Sequence, residues 1–185
     1  MSEANASVGM VEFNSIAVGI DGADRMVKAA AVEPLFFRTI CPGKFLAAVS
    51  GDVAAVASAV AAGRDGCPDA VVDWFTLAHI HPDVVRALTG PCEPAGRKAL
   101  GIIETFSAVS VVVAADAAVK AAAVRLMDVR IALGLGGKGY VLMTGDVAAC
   151  EAAVAAGGAE AAEHGLLVSR IVIPNPSEAL FSRLA

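Results

Sequence analysis

Cys41 is the residue of this chain best placed to do chemistry. It lies in Ile40-Cys41-Pro42-Gly43-Lys44, between the apolar runs Leu35-Phe36-Phe37 and Phe45-Leu46-Ala47-Ala48-Val49. Both runs have strand length and strand composition. Pro-Gly between two such runs is turn chemistry, because Pro fixes φ and Gly tolerates φ > 0. The sequence therefore predicts a tight loop with one thiol at its tip. A thiolate there can serve as a nucleophile. A nucleophile needs a neighbouring base, and no His lies in the loop. A Cys taken alone is equally a small core hydrophobe, and Cys67, Cys92 and Cys150 read that way. The four cysteines form no CxxC and read as reduced thiols.

Other pairs invite chemical readings. Glu12 and Glu104 could pass for an acid–base carboxylate pair, but they occupy matching places in two copies of one pattern, which points to a shared structural role. His79 and His81 alternate, so on a strand they would share a face and could chelate a metal; the plainer alternative is a strand end and a helix cap. Asp24 and Lys28 lie four apart, as do Asp116 and Lys120, so each acid–base pair shares one helix face.

These residues belong to a tandem repeat. Val8-Gly9-Met10-Val11-Glu12-Phe13-Asn14-Ser15 matches Leu100-Gly101-Ile102-Ile103-Glu104-Thr105-Phe106-Ser107 at an offset of 92. The same offset joins Asp24 to Asp116, Lys28 to Lys120 and Arg38 to Arg130. After the cysteine loop it becomes 94, so Gly43-Lys44 matches Gly137-Lys138 and Gly51-Asp52-Val53 matches Gly145-Asp146-Val147. Pro82 pairs with Pro176 at that second offset. The two copies thus differ at the loop itself, where the first is two residues shorter and carries Cys41.

Each copy predicts the same elements in order. A strand (8–13; 100–106) leads to an amphipathic helix (16–30; 109–122) and then to two strands around the loop. A second helix follows, capped by Asp52 or Asp146 and ended by Gly63 or Gly157-Gly158. A fourth strand (71–78; 166–173) leads to a short helix with Pro82 or Pro176 at its first position. In the second copy Asn175 and Glu178 have capping-box spacing. The order β-α-β-β-α-β-α is a split βαβ unit with one extra helix. The fold class is α/β of the α+β kind, in two tandem ferredoxin-like domains. Residues 1–7 form a tail, 8–92 the first domain, 93–99 a linker and 100–185 the second domain.

Composition narrows the function. Hydrophobic residues make up 57% of the 185, and mean hydropathy is +0.68. No membrane span can be drawn, because Asp116 and Lys120 interrupt the most apolar stretch, 108–123. The first residues have neither the basic nor the apolar region of a signal peptide. So apolar a chain should bury surface in an oligomer. A net charge of −5 with no basic cluster argues against nucleic acid.

Gly-x-x-Glu opening each copy, Asp-x-x-x-Lys-x-Ala on each first helix, and Gly-Lys…Gly-Asp-Val around each loop resemble the bacterial microcompartment shell domain, known as the BMC domain. With the glutamate strand first, the order is unpermuted and resembles the tandem-domain trimer class. Thr39-Ile40-Cys41-Pro42-Gly43-Lys44-Phe45-Leu46, His79-Ile80-His81-Pro82, Gly134-Leu135-Gly136-Gly137-Lys138 and Gly165-Leu166-Leu167-Val168 are similar to the T-type shell proteins of propanediol-utilisation microcompartments. The resemblance implies a non-enzymatic tile in a cytoplasmic microcompartment shell, built as a trimeric pseudohexamer. It implies a central pore ringed by Ile40, Cys41, Pro42 and Gly43, alternating with Gly134, Leu135, Gly136 and Gly137, for transport of a small solute or of electrons. It implies a [4Fe–4S] cluster, one per trimer, ligated by Cys41 of three chains. Tile-edge lysines would be Lys28 and Lys120. The implied partners are two further copies, other shell proteins and encapsulated redox enzymes, with no nucleic acid and no membrane. The chain departs from many members in closing its second copy with Pro174-Asn175-Pro176-Ser177, without the basic or histidine residue often found there. The competing reading is a ligand-binding or redox-sensing regulator that uses Cys41, since fold alone does not settle function.

Overall fold

The computed structural model describes residues 7–89, 92, 98–131, 136–163 and 166–184. The chain divides into two compact units between Ile80 and His81.

The first unit is built on β1 (Ser7–Phe13), every residue of which is buried. It sits between β3 (Lys44–Gly51) and β4 (Val71–Leu77), and β2 (Glu33–Ile40) adds the far edge. The sheet order is β2-β3-β1-β4, and all neighbours are antiparallel. Successive strand residues face opposite sides, so Val11 and Phe13 of β1 join Phe45, Ala47 and Val49 of β3 on one face. Against them pack Ala23 and Met26 of α1 (Ile16–Ala29) and Val56, Ala59 and Val60 of α2 (Val53–Gly66). Ser15 starts α1, its Oγ accepting the Val18 N–H at 3.4 Å.

The second unit repeats this plan. Its sheet order is β6-β7-β5-β8, from β5 (Ala99–Thr105), β6 (Arg125–Ile131), β7 (Gly139–Gly145) and β8 (Leu167–Ile173). The helices are α4 (Ala108–Ala121) and α5 (Val147–Glu163). Ser107 caps α4, accepting the Val109 and Ser110 N–H groups, each at 3.1 Å. The predicted β-α-β-β-α-β order holds in both copies.

The terminal helices depart from the predicted layout. The helix after β4, α3 (Pro82–Thr89), belongs to the second unit and packs on β6 and α4. The register of the fourth strands also corrects the repeat. Val8 pairs with Leu77 and Leu100 with Ile173, so β4 and β8 correspond at an offset of 96. Pro82 therefore matches Glu178 rather than Pro176. Helix α6 (Glu178–Leu184) starts two residues later than predicted, and its cap is Ser177, whose Oγ accepts the Leu180 N–H at 3.2 Å, not Asn175.

Gly63 and Gly157 end no helix; both lie inside one. A Cβ on Gly63 would stand 2.6 Å from Met26 Cγ, and one on Gly157 would stand 2.4 Å from the Ala114 carbonyl oxygen. Both stand where α2 packs closely on α1 and α5 on α4, and a side chain there would push the helices apart. Asp52 holds the cap position of α2 without a side-chain hydrogen bond, and Asp146 pairs instead with Lys98 at 3.0 Å.

Candidate functional site

In the first unit β2 and β3 pair up to Ile40 and Lys44, which leaves Cys41-Pro42-Gly43 as the turn. Gly43 has φ +70°, the left-handed region that glycine enters without strain. The Cys41–Pro42 peptide is cis. Cys41, Pro42 and Gly43 are exposed, whereas Ile40 is buried. Among the described residues no base hydrogen-bonds the Cys41 thiol.

In the second unit the strands pair up to Ile131 and Gly139, the counterparts of Thr39 and Phe45, and seven residues lie between them against five in the first unit. Gly136 and Gly137 have φ +63° and +89°; the first is exposed and the second buried. Gly134 and Leu135, named with them as pore residues, lie outside the described residues.

At the base of each turn stands an ion pair that the sequence analysis did not foresee. Lys44 Nζ donates to Glu12 Oε1 at 2.7 Å, and Lys138 Nζ to Glu104 Oε1 at 3.0 Å. The first pair is buried and the second half-exposed. Each glutamate holds the lysine that closes its own copy's loop, so the carboxylates share a structural role, as their matched positions predict. The signal lay in the repeat, which conserves both partners between copies.

No disulfide joins the four cysteines. Burial raises the thiol pKa of Cys67, with the nearby Asp21 carboxylate adding to the effect. Burial likewise raises that of Cys150, with Asp146 contributing. Among the described residues, no three His, Cys, Asp or Glu side chains come together as a metal site within the chain. β4 ends at Leu77, so His79 and His81 share no strand face. His79 takes φ +56°, and His81 Nδ1 accepts the Asp83 N–H at 3.2 Å at the start of α3. The helix-cap alternative is the one realised at His81.

The matched lysines differ in setting. Lys28 Nζ lies 2.5 Å from Asp24 Oδ2, and both side chains are exposed. Lys120 Nζ lies 2.5 Å from Asp116 Oδ2, but there the carboxylate is buried and also accepts the His81 N–H on Oδ1 at 2.8 Å. The matched arginines diverge too. Arg130 is held by Asp128 at 2.7 and 3.0 Å, while Arg38 has Phe36 in place of that carboxylate and lies over its ring.

Two sheets of this order, each backed by two helices and each carrying a glycine turn braced by a Glu–Lys pair, define the class of protein. Residues 7–80 and 99–176 each match the BMC domain, and the chain belongs to that family. It is 44% identical to the bacterial microcompartment shell protein PduT of Citrobacter freundii, over all of this chain and 98% of that one. A crystal structure of a microcompartment protein from Desulfitobacterium hafniense DCB is 48% identical with a TM-score of 0.86, covering 96% of this chain and 98% of that one. The shell protein EutM of Salmonella typhimurium is 51% identical over 79 residues, 43% of this chain and 80% of its own. The chain is a structural component of a microcompartment shell in the bacterial cytoplasm and not an enzyme.

Proposed function

We propose that the chain forms a trimeric pseudohexameric tile whose central pore is lined by the β2–β3 turns, and that the three Cys41 thiols on its axis hold one [4Fe–4S] cluster. The observation that carries this reading is the exposed thiol at the tip of the turn, at a place where the two repeats differ in length. The residues fit such a group. A single chain offers one exposed thiol and no ligand cluster among its described residues, so three ligands require three chains around an axis. Gly43 has open space around its Cα, which leaves room beside the thiol. When bound, the cluster would supply one-electron transfer. The chain's own residues position it: the turn presents the thiolate, and the buried Lys44–Glu12 pair braces the strand end beneath it. Without a cluster, the same turns narrow a passage for a small solute.

The proposed tile edge is carried by Lys28 and Lys120, where other shell proteins meet it, and encapsulated redox enzymes are separate partners of the tile. The domains would tile as 8–92 and 100–185, joined by 93–99, with α3 as the strap from the first repeat onto the second.

Protein purified and reconstituted without oxygen tests the reading. Light scattering should give three chains, with one cluster's iron per trimer and brown absorbance. Cys41→Ala should abolish the iron and keep the mass, while Cys67→Ala, Cys92→Ala and Cys150→Ala keep both. Wild type that takes up no iron reduces Cys41 to a pore constriction, and a clean monomer ends the tile reading.

A further inference from the structure

Cys92 shares a cavity with two arginines. Helix α3 buries Val84, Ala87 and Leu88 and packs on β6 and α4. Asp83 and Arg86 lie three apart on it and are neighbours on its surface, and the Asp83 carboxylate accepts a hydrogen bond from the Arg86 guanidinium. Past the end of the helix, the Cys92 N–H donates to the Met127 carbonyl of β6 at 2.8 Å. That bond fixes Cys92 beside the strand that Arg125 opens. Asp83, Arg86, Cys92, Arg125 and Leu126 together line a cavity of about 40 Å³. Such a volume holds about three waters, or one carboxylate group in their place. The first repeat does not copy it: at the offset of 92, Glu33 stands where this cavity has Arg125.

The charge of the cavity selects an anion. Arg86 is 70% exposed and shares its charge with Asp83. Arg125 is exposed and has no acid partner among the described residues. Two guanidinium groups thus face one carboxylate, a local positive excess in a chain of net charge −5. Guanidinium presents paired N–H donors that match a carboxylate. The half-buried Cys92, which is in no disulfide, adds a nucleophile to the same wall. A plain carboxylate or phosphate would use the arginines alone. A small disulfide derived from amino acids would use every polar group present, its carboxylate on the arginines, its ammonium on Asp83 and its sulfur on Cys92.

We propose that this cavity docks the carboxylate of a low-molecular-weight disulfide and that Cys92 exchanges with it to form a mixed disulfide. The Cys92 thiolate attacks one sulfur of the ligand. A new S–S bond joins protein and ligand, the ligand's own S–S bond breaks, and its other half leaves as a thiolate that takes up a proton. The ligand's disulfide is reduced and Cys92 oxidised, and an excess of small thiol reverses the step. Every lining residue belongs to one unit of one chain, so the site rests on neither the trimer nor the cluster.

Two probes test the site, glutathione disulfide as the anionic one and hydroxyethyl disulfide as the neutral one. Both are applied to the Cys41→Ala chain, so that Cys41 does not compete, and peptide mass mapping reads the position and rate of each adduct. The rate ratio, anionic over neutral, is divided by the same ratio for the chain unfolded in urea, which removes the probes' intrinsic difference. The folded chain should favour the anionic probe at Cys92 by about threefold to fivefold. Arg125→Gln alters an exposed side chain and should fold; it should bring the ratio close to one and leave the neutral probe's rate unchanged, and Arg125→Lys should restore part of the preference. High salt should erase the preference in the unaltered cavity as well, which keeps the test should Arg125→Gln fail to fold. No adduct at Cys92, an adduct formed first at Cys67 or Cys150, or equal ratios in folded and unfolded chains overturns the site. A preference that survives both Arg125→Gln and high salt overturns it too.

Discussion

Lys44 Nζ lies 2.7 Å from Glu12 Oε1, and the Glu12 side chain has no exposed surface. A carboxylate taken wholly out of water must keep its cation, because an unpaired buried charge costs more than the pair gains. The matching Lys138–Glu104 pair is 41% and 35% exposed, so solvent screens most of its value. Lys44→Ala should therefore lower unfolding free energy by about 3–5 kcal/mol, and Lys138→Ala by about 0–1 kcal/mol. Glu12→Leu combined with Lys44→Leu should recover most of the loss. Urea unfolding of the three variants measures the difference, and equal losses for the two single lysine variants would show that burial is not the deciding factor.

Thiol labelling separates Cys41 from the buried cysteines. Cys41 is exposed, while burial shields Cys67 and Cys150 and raises their pKa. A raised thiol pKa leaves less thiolate at a given pH, so these two need more alkaline solution to react. In cluster-free protein at neutral pH, iodoacetamide should modify Cys41 well before either of them, as peptide mass mapping will read. Early labelling of Cys67 or Cys150 would contradict their placement in the core.

Gly157→Ala sets helix propensity against packing. Alanine favours a helix by about 1 kcal/mol over glycine, but here its Cβ would stand 2.4 Å from a backbone oxygen that cannot swing away. Overpacking of that kind costs about 1–3 kcal/mol, so the net change should be destabilising. Gly43→Ala meets nothing within 4 Å and pays only for its φ of +70°, about 1–2 kcal/mol. Thermal melts should show both losses, and a gain at Gly157 would mean that the helices can part without cost.

The proposed edge lysines should divide stability from assembly. Lys28→Ala removes a fully solvated pair and should leave melting unchanged within about 1 kcal/mol. Lys120→Ala strips the cation from a buried carboxylate and should cost about 1–3 kcal/mol. The double replacement should still fold and keep its oligomeric mass while losing ordered sheets in electron micrographs. Sheets that grow unchanged would remove both lysines from the edge.

What the sequence determined by itself is what neighbours along the chain decide. A short apolar run makes β1 a strand, Pro-Gly turns the chain beside Cys41, and two copies of one motif foretold two copies of one fold. The tertiary structure decided the rest. Gly63 and Gly157 look like helix ends in one dimension, yet each is the contact that lets a distant helix approach. Pro82 and Pro176 match as letters, while the strand register pairs Pro82 with Glu178. Asp24 and Asp116 sit in the same local pattern with a lysine four residues on, but one faces solvent and the other lies buried with its free oxygen taken by the His81 N–H. A local pattern fixes which face a residue shares; which chain segment crosses that face is set by contacts tens of residues away, and burial and ion-pair strength both follow from that crossing.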